Sequence, residues 1–295
     1  MRVFLTGATG FIGSRIVPEL INAGHQVLGL TRSDEGANSL AAAGVEVHRG
    51  DIEDLESLRS GAGRADAVIH TAFNHDFSKY AANCETDRKA IEAIGAVLAG
   101  SGRPFIVTSG TGLVTGTPGK PATEDDPTVP ASVVPRTASE EAAFAVAKRG
   151  VKVSVVRLPQ VHDTVKQGLI TYLVAIAREK GKSAYVGDGE NRWPAAHVLD
   201  VARLYRLALE KAELTAKYHA VAEEGVPMRS IAEVIGRGLK VPVASLTEAE
   251  AEAHFGWLGR FAGMDLTASG AQTHKRLDWK PTGPGLIVDL EAMRY

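Results

Sequence analysis

The chain has 295 residues, enough for one large or two small domains, and is 44% hydrophobic and 23% charged, as expected of a globular protein. Its 33 Lys and Arg residues nearly balance 35 Asp and Glu residues, and this net charge of −2 argues against a nucleic-acid or membrane-surface partner. The single cysteine excludes an internal disulfide and a cysteine-rich zinc module, and it favours a cytoplasmic location. We expect no secretory leader, no membrane span and no metal.

The first 160 residues alternate between short apolar runs and helical patterns. Strands are expected at residues 2–6, 25–30, 45–51, 65–72, 104–110 and 151–159. Helices are expected at residues 11–23, 34–43, 54–60, 79–101 and 137–148. This alternation predicts parallel strands joined by helical crossovers, and the continuous apolar runs predict strands covered on both faces. The expected fold class is α/β, a Rossmann-type doubly wound parallel sheet.

After Pro159 the alternation becomes less regular. Helices are expected at 167–180, 199–212 and 230–239, strands at 184–187 and 218–222, and an irregular segment at the C-terminus. No linker of flexible composition separates two domains, so we expect one unit with two lobes. The larger lobe is predicted to comprise residues 1–160 with 199–222 returning to it. The smaller C-terminal lobe, which would bind substrate, is predicted to comprise 161–198 and 223–295.

The segment T-G-A-T-G-F-I-G follows the first strand and opens the first helix. Its three glycines permit a tight turn, a close approach to a pyrophosphate and close packing of helix on strand. The helix N-terminus adds partial positive charge. We therefore expect the larger lobe to bind a dinucleotide. The residues of this loop expected to contact it are Gly7, Thr9, Gly10, Phe11, Ile12 and Gly13.

The end of the second strand indicates which dinucleotide is bound. An NAD site usually has Asp or Glu there, whereas this chain has Thr31, Arg32 and Ser33. A guanidinium can pair with the 2′-phosphate, so the sequence favours NADP(H). The alternative is that Arg32 is a solvated surface residue.

Further cofactor contacts are expected at the carboxyl ends of the other strands, which line the ligand crevice in such sheets. Asp51 could accept a hydrogen bond from the adenine amino group, and Ile52 could pack on that ring. The remaining residues expected at this edge are Thr71, Ala72, Phe73 and Pro159.

Several segments together resemble the extended and atypical short-chain dehydrogenase/reductases, the NAD(P)-dependent epimerase/dehydratase-like group. In chain order they are TGATGFIG, GDIED, HTAF, FIVTSGTG, VVRLP, WPAAHVLDVA and RLDWKP. The resemblance covers nearly the whole chain and implies hydride-transfer chemistry or a transient oxidation.

The chain departs from that family at its catalytic signature, Y-x-x-x-K. Arg136 stands for the tyrosine and Glu140 for the lysine. Arginine stays protonated and cannot donate the proton, and a carboxylate would oppose formation of a phenolate. One interpretation is an Arg136–Glu140 salt bridge within a helix, since the residues are four apart. The other is that Arg136 stabilises a developing oxyanion.

Other catalytic candidates remain open. The family's Ser/Thr position falls on Thr111, with Ser109 close behind, and either hydroxyl could instead satisfy the backbone. The family's helix asparagine maps near Asn83 and Asp87, without a choice between them. The remaining candidates could replace the tyrosine or line the substrate pocket, but packing and loop-anchoring roles are open for them as well. They are His162, Asp163, Tyr172, Tyr185, Asn191, Arg192, Trp193, His197 and Asp200.

Three functions are therefore compatible with the sequence. The first is an NADP(H)-dependent reductase of a small carbonyl compound, in which Thr111 and Arg136 act on the carbonyl oxygen. The second is an NADP(H)-binding redox sensor without turnover, and the third, weaker, is a sugar-nucleotide epimerase or dehydratase. A small-molecule substrate is the expected partner, and the oligomeric state stays open, a homodimer included.

Overall fold

The computed structural model describes the backbone of residues 1–295 and every side chain except that of Arg260. The strands are β1 (Arg2–Thr6), β2 (Gln26–Thr31), β3 (Glu46–Arg49), β4 (Ala67–His70), β5 (Pro104–Gly110), β6 (Lys152–Leu158), β7 (Gln160–His162), β8 (Ser183–Val186), β9 (Arg192–His197), β10 (Ala216–His219), β11 (Glu223–Pro227) and β12 (Val243–Leu246). The helices are α1 (Gly13–Asn22), α2 (Asp34–Ala42), α3 (Leu55–Gly63), α4 (Tyr80–Leu98), α5 (Ala138–Ala147), α6 (Ile170–Lys180), α7 (Val198–Lys211), α8 (Met228–Leu239), α9 (Glu248–Phe255), α10 (Gly259–Ala262), α11 (Ala271–Leu277) and α12 (Leu286–Ala292). Short 3₁₀ turns occupy Phe77–Lys79, Thr111–Leu113, Pro135–Thr137 and Gly256–Leu258.

A seven-stranded sheet has the order β10-β6-β5-β4-β1-β2-β3, and all its neighbouring strands are parallel. The chain runs outward from β1 to β3 and then crosses back to β4. The boundary between the adjacent strands β1 and β4 is therefore the point at which the strand order reverses. Ligands of such sheets bind in the crevice beyond the carboxyl ends of the strands at this point.

Helices cover both faces of the large sheet, as its apolar strands require. On one face α1 and α7 pack through Ile16, Leu20, Val201 and Leu204. On the other face α3, α4 and α5 pack through Leu58, Ile91, Ile94 and Val146. This confirms the predicted α/β class and the doubly wound parallel sheet.

The smaller lobe combines a three-stranded sheet, β11-β9-β7, with the parallel pair β12-β8. Its core lies between α6, α8, α9 and α12 and includes the fully buried Trp193. In the large lobe, β10 pairs with β6, and α7 packs on α1. Residues Leu277 and Trp279 also pack in the large lobe's core, although the sequence placed them in the smaller lobe.

The prediction of an irregular C-terminus was wrong, since β12 and helices α9 to α12 lie there. These helices have four to eight residues, too few to show a clear helical period. Strands β7, β9 and β11 were also missed. Pro194 interrupts the β9 sequence R-W-P-A-A-H, and a proline within an apolar run argues against a strand. No helix in the described part of the chain has the length and apolar character needed to cross a membrane.

Candidate active site

The loop between β1 and α1 has the geometry that its three glycines predict. Gly7 has a φ of +69°, and a Cβ there would lie 2.8 Å from the Ala72 nitrogen and 2.8 Å from the Thr71 hydroxyl. A Cβ on Gly13 would lie 2.0 Å from the Gly7 carbonyl oxygen. Larger residues at these two positions would force the loop, the helix and β4 apart. Among the described side chains none caps α1, and the Ser14, Arg15 and Ile16 nitrogens donate to backbone carbonyls, so a ligand could use only the N–H groups that precede Ser14. The loop therefore fits a dinucleotide pyrophosphate.

At the ends of β2 and β3, two arginines lie beside the predicted adenosine site. The Arg32 side chain is 81% exposed, and its Nη1 lies 3.5 Å from Asp51 Oδ2, a pair too exposed to hold it firmly. Arg49, which the sequence reasoning missed, donates to the Arg32 carbonyl oxygen at 3.0 Å and pairs with Asp34. The parallel register that pairs Thr31 with Arg49 is the signal that could have found it. Ser33 caps α2 by accepting from the Gly36 nitrogen at 3.1 Å.

The residues after β4 lie against the glycine loop. Thr71 donates its hydroxyl to the Thr6 carbonyl oxygen at 2.8 Å, and the Ala72 nitrogen donates to the Thr6 hydroxyl at 3.3 Å. Phe73 follows, and its ring lies beneath the Arg136 guanidinium, whose central carbon is 4.4 Å from the ring centroid. The end of β4 thus connects the dinucleotide loop to Arg136.

A buried hydrogen-bond network forms at that position. Asp87 of α4 is 1% exposed; its Oδ1 lies 2.9 Å from His70 Nε2, and its Oδ2 accepts from Arg136 Nη1 at 3.0 Å. Ser139 bonds both Asp87 and Arg136, and Thr6 bonds His70 Nδ1 at 2.7 Å. Burial by itself would raise the pKa of the Asp87 carboxyl, but Arg136 and His70 lower it to about 2. Asp87 is therefore an ionised anchor for Arg136.

The expected salt bridge between Arg136 and Glu140 was wrong. Arg136 lies in the 3₁₀ turn Pro135–Thr137, before α5 begins, so the two side chains do not share a helical face. Its Nη2 donates to the Thr108 carbonyl oxygen at 3.0 Å. Of the pair Asn83 and Asp87, Asp87 is the one that contacts Arg136.

Glu140 instead pairs with Arg157 of β6, whose Nε donates to it at 3.1 Å. Both side chains are almost fully buried. Arg157 also lies 3.2 Å from His219 Nε2, and burial together with Arg157 lowers the pKa of His219 to about 4. Glu140 thus belongs to the scaffold behind the crevice, where it cannot take the place of a lysine that holds a ribose.

Thr111 begins the 3₁₀ turn that follows β5 and is 4% exposed. Its hydroxyl donates to the Leu158 carbonyl oxygen at 3.2 Å, in the segment that leads into Pro159. The Ser109 hydroxyl is buried and has no hydrogen-bond partner among the described residues. Both residues lie at the carboxyl edge of the sheet.

Most of the other candidates have structural contacts. His162 is fully buried against Asp289 at 2.7 Å, and His197 caps α7. Asp200 accepts from the Thr282 and Gly283 nitrogens, and Asp163 from those of Val165 and Lys166. Asn191, Arg192 and Trp193 anchor the segment 262–265, and Tyr185 packs beneath Arg229. Tyr172 differs, because it joins an aromatic cluster between the lobes.

Comparison with known proteins assigns most of the chain to the family that its sequence motifs resemble. A model described as "NAD dependent epimerase/dehydratase family" matches residues 3–222. An uncharacterized protein of Schizosaccharomyces pombe is 47% identical over 100% of both chains, and one of Saccharomyces cerevisiae is 44% identical over 99% of this chain and 98% of its own. The solved structure of a dTDP-glucose 4,6-dehydratase of Streptomyces venezuelae, with NAD bound, has a TM-score of 0.78 at 19% identity and covers 100% of this chain and 96% of that one. The resemblance inferred from the motifs is confirmed, and the chain belongs to the NAD dependent epimerase/dehydratase family.

Proposed function

We propose that the protein is an NADP(H)-dependent reductase of a small carbonyl compound. The family is one of nicotinamide-dependent oxidoreductases, and the glycine loop fits such a cofactor. The observation that carries the proposal is the placement of Arg136. Its side chain is 15% exposed and fixed by Asp87 and the Thr108 carbonyl, and the sequence resemblance assigns its position to the family's catalytic tyrosine.

The preference for NADP(H) rests on the arginines at the ends of β2 and β3. Gly7, Gly10 and Gly13 with the start of α1 would hold the pyrophosphate, and Arg32 would pair with the 2′-phosphate. Arg49 sets the path of the backbone at Arg32 through its bond to the Arg32 carbonyl oxygen. A charge-assisted hydrogen bond contributes roughly 1.5–3 kcal/mol, which is about one to two decades of affinity.

When bound, a reduced nicotinamide supplies the hydride for reduction of a carbonyl. The protein must then stabilise the negative charge that develops on the carbonyl oxygen. The Arg136 guanidinium can do so electrostatically, because Asp87, Ser139 and the Thr108 carbonyl use only part of its N–H groups. Thr111 would add a hydrogen bond after releasing the Leu158 carbonyl. Neither Arg136 nor Glu140 can act as the family's tyrosine and lysine do.

The test is consumption of NADPH with a panel of aldehydes, ketones and imines. Turnover with a carbonyl compound, lowered about two to three decades in Thr111→Val and restored in Thr111→Ser, supports the proposed role of this hydroxyl. Unchanged binding of NADPH to Thr111→Val is the control. Turnover that survives Thr111→Val would remove Thr111 from the proposal.

A second candidate, a redox sensor that binds NADP(H) without turnover, is favoured by one observation. Both residues that replace the catalytic pair take part in buried ion pairs, Arg136 with Asp87 and Glu140 with Arg157. Tight NADPH binding without consumption on any member of the panel would favour the sensor over the reductase.

A further inference from the structure

An aromatic cluster, defined here as Phe77, Tyr80, Tyr172 and Trp257, lies where the two lobes meet. The rings of Phe77 and Trp257 are stacked, with centroids 4.4 Å apart and planes 20° apart. Tyr172 meets both edge-on, at 5.7 Å from Phe77 and 5.4 Å from Trp257. Tyr80 lies 5.9 Å from Phe77. Stacked and edge-on rings at these distances attract one another beyond what their buried area alone provides.

The cluster draws its members from both sides of the crevice. Phe77 and Tyr80 belong to the segment between β4 and α4, in the larger lobe. Tyr172 lies on α6, and Trp257 lies in the turn after α9, both in the smaller lobe. A ligand that enters between the lobes would therefore meet aromatic surface from each of them.

The cluster is continuous with the proposed reaction centre. From Arg136, the contacts run to Phe73 at 4.4 Å, from Phe73 to His75 at 5.2 Å, and from His75 to Phe77 at 6.2 Å. Burial and the positive charges of Lys166 and Arg136 lower the pKa of the His75 ring. These contacts connect Arg136 to Phe77 through the rings of Phe73 and His75.

The exposure of the cluster argues against a purely structural role. Trp257 is 46% exposed, whereas Trp193 and Trp279 are 0% and 1% exposed. Phe77, Tyr80 and Tyr172 are half-buried. Four neighbouring aromatic side chains that keep accessible surface where the two lobes meet are typical of a binding surface for an apolar, planar group.

We propose that the substrate is an aromatic carbonyl compound, whose ring binds at the aromatic cluster while its carbonyl oxygen faces Arg136. This inference rests on the proposed reductase function and specifies its substrate class. A planar aromatic ring can make face and edge contacts with Phe77, Trp257 and Tyr172, the geometries that aromatic pairs favour.

The first experiment measures binding without turnover. Trp257 is the exposed tryptophan, so iodide quenches its fluorescence while Trp193 and Trp279 stay protected. With NADPH present, benzyl alcohol should protect Trp257 from iodide, and cyclohexylmethanol, of similar size but not planar, should protect it about two- to tenfold less effectively. Equal protection by the two alcohols, or none by either, would overturn the proposal.

The second experiment compares kcat/KM for benzaldehyde and cyclohexanecarbaldehyde. Since the two aldehydes differ in intrinsic reactivity, the informative quantity is the change in their ratio between wild type and Phe77→Leu. The ratio should fall about two- to tenfold in Phe77→Leu and stay unchanged in Phe144→Leu, the same substitution at a half-buried site on α5. An unchanged ratio in Phe77→Leu would overturn the aromatic assignment.

The two experiments also separate this inference from the proposed function. Selective protection by benzyl alcohol with no consumption of NADPH would support the aromatic site and refute the reductase. Turnover of both aldehydes with the same ratio in wild type and in Phe77→Leu would support the reductase and refute the aromatic site.

Discussion

Replacing Arg136 by methionine should separate its contribution to stability from its contribution to catalysis. Asp87 is 1% exposed, and the substitution leaves this carboxylate with His70 and Ser139 but without its cation. Removing one partner of a buried ion pair typically costs about 3–5 kcal/mol. For 295 residues, with an unfolding entropy of about 2.1 cal/mol/K per residue, that corresponds to a fall in Tm of roughly 5–8 °C.

A matched control exists in Arg192, which pairs with Asp265 at 3.4 Å with 43% and 42% of the side chains exposed. Arg192→Met removes the same kind of side chain from an exposed pair and should change the free energy of unfolding by less than about 1 kcal/mol. Urea unfolding of both variants measures the difference.

The double variant Arg136→Met with Asp87→Asn completes the test. A neutral amide no longer needs a cation, so the double variant should regain about 1–2 kcal/mol relative to Arg136→Met. Turnover should not return, because the positive charge at the carbonyl oxygen is still missing, and kcat should stay about two to three decades below wild type. The reasoning is refuted if Arg136→Met unfolds with the free energy of wild type, or if the double variant is less stable than the single one.

Three further predictions concern the cofactor site and acid stability. Arg32→Ala should weaken NADPH binding about ten- to a hundredfold and leave NADH binding nearly unchanged, measured by fluorescence titration; equal losses would contradict the 2′-phosphate assignment. Gly13→Ala should abolish binding of both cofactors in the same titration, because its Cβ would lie 2.0 Å from the Gly7 carbonyl oxygen; retained binding would contradict that geometry. Burial and Arg157 lower the pKa of His219 from 6.5 to about 4. As the pH falls, the unfolded chain therefore binds a proton at this histidine before the folded chain does. The free energy of unfolding above pH 6.5 should fall by about 3 kcal/mol by pH 4. His219→Gln should show a shallower loss in thermal unfolding from pH 7 to pH 4.

The sequence predicts the large sheet well because its signals are local. Six apolar runs separated by helical patterns specify parallel strands, and the glycine spacing after β1 specifies the dinucleotide loop. Both depend on residues that are neighbours in the chain, such as Gly7 and Gly13. Strand β9 lacks such local signals, since Pro194 breaks its pattern and the strands that pair with it, β7 and β11, lie elsewhere in the chain.

The candidate site is harder to predict, because its contacts join distant parts of the chain. Arg136 and Asp87 are 49 positions apart and come from a 3₁₀ turn and from α4. A spacing of four residues suggested Glu140 as the partner, but that rule holds only when both residues lie in one helix. His70 has a signal that was overlooked: it pairs in register with Thr6, at the end of the strand beside β1.

Arg136 and Glu140, at the positions that the sequence resemblance assigns to the family's catalytic pair, differ in what they can still do. Glu140 is 3% exposed, and its partner Arg157 also lies near the carbonyl oxygens of Glu124 and Asp126, so this pair holds the loop after β5 to the sheet. Arg136 is 15% exposed and borders the crevice over Phe73. Each introduced charge is balanced by an opposite charge from another element, so neither replacement leaves an uncompensated ion in the core. Only Arg136 of the two retains a surface that a ligand can reach, and the chemistry of the site must therefore be sought there.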